Sequence, residues 1–220
     1  MESWFADAKR IKSLEAEICF LLHDEFCNGL KIERRVPSML RSAEVVGHEE
    51  ELANYYREVI RVARKHHKAF NEIRQYFWMR FWLWNTDEEI YISFPWYDTY
   101  SEINQFLTSL SDKSDGQLFW DVDQGWELDV HAFDGDFIAR LRNPDDNETH
   151  AIVRLPIDEL LSSIQPLRTR TDSIIKTLTS VVGRDLWTNH VEWPEFCPPK
   201  IPVSPASQPW WHLWKGRAKP

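Results

Sequence analysis

Residues Leu118 to Leu155, LFWDVDQGWELDVHAFDGDFIARLRNPDDNETHAIVRL, decide the fold. Asp134-Gly135 sits between two runs that alternate apolar and polar residues, and a type I′ hairpin turn needs positive φ at both of its central positions. A two-residue loop there sets Phe133 opposite Asp136 and fixes the rest of the ladder. Val130 then faces Ala139, Leu128 faces Leu141 and Ala132 faces Phe137 on one apolar side. The other side takes Glu127 opposite Arg142, Asp129 opposite Arg140 and His131 opposite Ile138. Opposite charges directly across an antiparallel pair stabilise it by roughly 0.2–1 kcal/mol each.

The turn before this hairpin is a matter of parity. A two-residue loop at Gln124-Gly125 places Asp121 on the apolar side beside Leu128. A three-residue loop, Asp123-Gln124-Gly125 with Gly125 left-handed, pairs Trp120 with Leu128 and Val122 with Trp126 instead. A one-residue slip turns over every side chain, so the apolar face favours the three-residue loop, which puts Asp121 opposite Glu127. Residues 143–147 are turn chemistry. A fourth strand follows, with Ala151, Val153 and Leu155 inward and His150, Ile152 and Arg154 outward.

Outward from this meander the chain reads as its cover. Residues 3–28 carry Trp4, Ala8, Ile11, Leu14, Ile18, Leu21/Leu22 and Phe26 at helical spacing, closed by Asn28-Gly29. A short helix is expected around Ser38 to Val45. A long one opens at Glu49-Glu50-Glu51, where carboxylates suit the positive end of the helix dipole. Its stripe runs from Leu52 through Tyr56, Val59, Ala63, His66 and Phe70 to Ile73. Phe77 to Trp84 and Glu89 to Phe94 read as a hairpin, and Tyr100 to Leu110 as a helix with Ile103, Phe106, Leu107 and Leu110 inward. Beyond Pro156, Leu160, Ile164, Leu167, Thr171, Ile174, Leu178 and Val181 keep one phase across Pro166, which favours a single kinked helix ending at Gly183.

The expected fold is therefore α+β: an antiparallel sheet, hairpin plus four-strand meander, covered by long helices. Its parts are an N-terminal helical region (1–75), an α+β core (76–184) with the meander at 118–155 and the kinked helix at 156–182, and a tail (185–220). The tail holds seven of the twelve prolines and the tryptophans Trp187, Trp193, Trp210, Trp211 and Trp214. Either its indoles dock back onto the domain or Trp210, Trp211 and Trp214 anchor another molecule.

Composition narrows the function classes. A net charge of −9 disfavours nucleic acid and anionic membranes and favours a neutral or basic partner. Cys19, Cys27 and Cys197 make no disulfide framework, since Cys19 and Cys27 on one helix would stand about 12 Å apart. No apolar run reaches the roughly 18 residues of a membrane helix, and no basic-then-apolar leader opens the chain, so a cytoplasmic protein is expected. Gly-rich phosphate loops and G-x-S-x-G elbows are absent from the sequence. His66 reads as a core histidine, Cys197 as packed, and residues 144–148 lack the order of a calcium loop. No cofactor or metal is expected.

The best constellation is the charged side of the meander: Asp121, Glu127, Asp129, Arg140, Arg142 and Arg154, with His131 and His150 nearby. Three readings compete. The arginines neutralise the carboxylates on a solvated face, the face binds a protein, or the carboxylates take a divalent cation or an acid/base role.

The hairpin W-D-x-D-Q-G-W-E at Trp120 to Glu127, in an acidic, tryptophan-rich α+β chain, resembles small bacterial immunity-type proteins of polymorphic toxins over residues 76 to 187. That resemblance implies a non-enzymatic protein that neutralises a toxin by binding it, with a basic toxin domain as partner. No functional residue is carried over from the family. Two alternatives stand beside it. One is a hydrolase using carboxylates and histidine in a groove beside the sheet; the other is an assembly or scaffold protein engaging a partner through the tail, and homo-oligomer formation stays open.

Overall fold

A computed structural model describes residues 3–94, 99–123, 125–146, 148–193 and 196. The chain is α+β. Its strands are β1 (Lys9–Arg10), β2 (Glu15–Leu21), β3 (Met39–Arg41), β4 (Met79–Asn85), β5 (Ile90–Ser93), β6 (Gly116–Asp123), β7 (Trp126–Phe133), β8 (Asp136–Asn143) and β9 (Glu148–Pro156). Its helices are α1 (Ser42–Val45), α2 (Glu49–Lys65), α3 (Tyr100–Ser111) and α4 (Ile157–Val182). One sheet is ordered β1-β9-β8-β7-β6, with β1 parallel to β9, and the other is ordered β3-β2-β4-β5.

The β7–β8 hairpin has the expected register at every pair, from Glu127 opposite Arg142 to Phe133 opposite Asp136. Asp134 and Gly135 both take positive φ, 52° and 74°, as the type I′ turn demands. The pair β4–β5, helix α3 and the single helix α4 through Pro166 also form, and Gly183 caps α4 in the left-handed region.

Three expectations are overturned. Residues 3–28 are not a helix: a 3-10 turn (Ser3–Asp7), β1, β2 and a second 3-10 turn (Asp24–Gly29) occupy them. Strand β2 lies between β3 and β4, and its run Ile18-Cys19-Phe20 is buried. Such a continuous apolar run imitates a helical stripe because both faces of a central strand are covered. The helical spacing assumed for Cys19 and Cys27 falls with it, and both thiols are free. Helix α2 ends at Lys65 because His67 adopts φ 54°, and His66 is exposed rather than on an apolar stripe. Phe70 and Ile73 are still buried, from 3-10 turns.

The third correction concerns β6. Asp123 pairs with Trp126, Val122 with Glu127, Asp121 with Leu128 and Trp120 with Asp129. The connection is the two-residue loop, not the three-residue one. The register shifts at Leu118, so Phe119 opposes Val130 and reaches the core, 5.3 Å from Phe94 between ring centres. Counting parity from the turn assigned Trp120 and Val122 to the core, because the bulge that delivers Phe119 lies further along the strand.

One buried cluster runs from Ile11 to Phe196 and joins both sheets, α2, α3 and α4. The first part of the tail docks into it. Trp187 is fully buried against Tyr56, its carbonyl accepts from the Tyr100 N–H, and Trp193 packs on Phe70. The positions Trp210, Trp211, Trp214 and Cys197 lie outside the described residues.

Candidate protein interface

The structure brings Glu127, Asp129, Arg140, Arg142 and Arg154 onto one face of the meander, as their register requires, but that face is covered. Arg142 Nε donates to Glu127 Oε2 at 2.7 Å, and Arg140 Nη2 reaches Asp129 Oδ2 at 3.3 Å and Glu127 Oε1 at 3.6 Å. Asp129 Oδ1 also accepts from Gln117 Nε2 at 3.0 Å and lies 2.8 Å from His131 Nε2. Arg154 and Arg10 both donate to Asp136, which the sequence reading passed over although its pairing with Phe133 already placed it on this side. Glu127, Asp129 and Asp136 are each 6% exposed.

The lid is the 3-10 turn Ser3–Asp7. Phe5 packs edge-on against His131 at 5.1 Å and tilted against Phe133 at 5.6 Å, and the Arg140 guanidinium sits 4.6 Å from the Trp4 ring. Trp4, Phe5 and Ile138 form a small second core on the far side of the sheet from the main one. The solvated charged face expected from sequence is thus an ion-pair layer under two aromatics. The Trp4-Phe5 pair had two sheet faces available, and only the sheet's own outward Ile138 and Ile152 signalled which one.

Asp121 is separated from this group. In the observed register it shares the inward side with Leu128, so it does not join Glu127 and Asp129 in a cation site. Among the described residues no group of three or more His, Cys, Asp or Glu is placed to hold a metal ion. His150 is exposed at the β8–β9 bulge, where Arg142 opposes Thr149 instead.

What the register slip exposes is β6. Trp120 is 54% exposed and Val122 43%, side by side at the rim of the meander. An exposed indole on a strand forgoes about 25 cal/mol of burial free energy per Å² left wet. Among the described residues β6 is also the edge of its sheet, opposite β1. Between it and α3 runs a groove of about 450 Å³, lined by Glu102, Gln105, Phe106 and Ser109 from the helix and by residues 117–120 of the strand. From Tyr100 to Asp123 the side chains charged at neutral pH are Glu102, Asp112, Asp115, Asp121 and Asp123 against one Lys113. Lys113 is paired with Asp158 of α4. The edge is therefore acidic with an apolar crest.

Among the described residues no helix is long and apolar enough to cross a membrane. Compared with protein-family models, curated proteins and solved structures, the chain matches none.

Proposed function

We infer that this chain is a non-enzymatic protein-binding protein whose partner is basic, acting by direct contact as an immunity protein neutralises a toxin. The observation that carries this reading is the β6 rim, where Trp120 and Val122 stand exposed beside Asp115, Asp121 and Asp123. Tryptophan anchors dominate the energetics of protein contacts, and a one-sign rim steers an oppositely charged partner and raises its association rate. The carboxylates suited to acid/base work, Glu127 and Asp129, are committed to arginines under Trp4 and Phe5, which weighs against the hydrolase alternative.

The test is recovery of the tagged chain from its source cell beside a Trp120→Ser/Val122→Ser variant, after matched melting temperatures establish that both are folded. The wild-type chain should retain a stoichiometric protein with an excess of Lys and Arg, and the variant should lose it. A wild-type chain that retains no stoichiometric protein, or a variant that retains it equally, removes this reading.

A further inference from the structure

An edge strand presents a row of main-chain N–H and C=O groups with no strand beyond it, which is a template for pairing with another chain. From Phe119 to Asp123, past the bulge, β6 keeps a regular ladder with β7, and the outward Val122 N–H donates to Asp121 Oδ1 at 2.8 Å, a local bond that an added strand would replace. Side chains along it alternate. Trp120 and Val122 point to the outward side, whereas Asp121 and Asp123 share the side of Phe119, which faces α3 and the groove.

The charges decide which chain fits there. A second copy pairing antiparallel through β6 about Val122 would set Asp121 directly opposite Asp123 on both sides of the axis. Like charges in that position destabilise the pair. A segment with Lys or Arg at those positions gains by the same geometry. The alternate positions of such a segment would lie beside the Trp120 indole and Val122, where aliphatic or aromatic side chains bury apolar surface.

We propose that β6 is a strand-addition site, taking up an extended segment of the partner that alternates basic residues on the groove side with apolar residues on the outer side. This rests on the protein-binding reading and specifies its mode. Main-chain pairing supplies affinity in such complexes and the alternate side chains supply selectivity.

The probe is a synthetic peptide alternating Lys with Val, titrated against the full chain, with amide hydrogen exchange read along the sequence. The peptide should bind and slow exchange within residues 118–123. A Glu-Val counterpart, and the Lys-Val peptide N-methylated on the pairing edge, should each bind at least about tenfold more weakly, a loss of about 1.4 kcal/mol. Asp121→Asn/Asp123→Asn, which keeps the Asp121 acceptor for the Val122 N–H, should weaken the Lys-Val peptide by a similar factor. Equal binding of the N-methylated or Glu-Val peptide overturns the proposal, as does protection located elsewhere, for example at β5 around Tyr91. If the peptide fails to bind while the tagged chain still retains its basic partner through Trp120, strand addition falls and protein binding stands. If both fail, both fall.

Discussion

Trp4 shows how one side chain changes the meaning of a whole face. With its ring stacked on the Arg140 guanidinium and Phe5 against His131, the carboxylates below are cut off from water and their arginines become structural. Trp4→Ala or Phe5→Ala should therefore destabilise the chain by about 3 kcal/mol, the usual cost of deleting a buried aromatic, read as a shift in urea midpoint. Asp129→Ala should cost a comparable amount, because Arg140, only 17% exposed, loses its nearer carboxylate. Asp129→Asn, whose single oxygen can still accept from either Gln117 or Arg140, should cost less than the alanine. If Asp129→Ala left stability unchanged and slowed partner association instead, the face would be a contact surface after all. Cys19 offers an independent check on the interior: burial raises its thiol pKa, with Glu17 adding to the effect, so the reactive thiolate is suppressed. Native-state alkylation followed by peptide mapping should leave Cys19 unmodified until denaturant is added.

At the scale of elements, legibility followed how many independent signals agreed. The β7–β8 register was readable to the residue because turn chemistry, apolar alternation and cross-strand charge all demanded the same pairing. β6 was readable as a strand but not in phase. Its only phase signal was the apolar count, and the Leu118 bulge lets Phe119 enter the core while Trp120 stays outside. β2 was misread because a strand covered on both faces has no polar alternation to report. The candidate site inherited these differences: Glu127, Asp129, Arg140, Arg142 and Arg154 were placed correctly together, but their cover came from residues 3–7, whose position nothing local encodes. Helix α4 is the converse case, where phase was right against a local penalty. Pro166 is exposed inside it and cannot donate to the preceding turn. Pro166→Ala should restore that bond and raise stability by up to about 3 kcal/mol, as a higher melting temperature. A lower one would mean that the packing of Ile164 and Leu167 depends on the backbone that Pro166 imposes.

Across the whole molecule, the second sheet and α4 are tied by a polar lock set into an otherwise apolar core. Glu17 of β2 accepts from Ser42 Oγ at 2.5 Å and from Arg170 Nη2 at 2.9 Å, across 153 positions of sequence, while Arg170 Nε donates to Ser42 Oγ. The two charged partners are not equivalent. The Glu17 side chain is 5% exposed and the Arg170 side chain 29%, so water can take over the guanidinium but not the carboxylate. Arg170→Met, which strands a buried charge, should cost about 3 kcal/mol. Glu17→Met should cost less, because Arg170 can turn outward to solvent. The Glu17→Met/Arg170→Met double variant replaces the pair by apolar side chains and should be more stable than the sum of the singles predicts, with a coupling of about 1–3 kcal/mol. Unfolding followed in parallel by tryptophan fluorescence, to which all twelve tryptophans including the buried Trp187 contribute, and by far-ultraviolet circular dichroism supplies the four free energies, and coincident transitions license the cycle. Additive losses would mean that the lock contributes no link between sheet and helix, leaving the apolar cluster alone to join them.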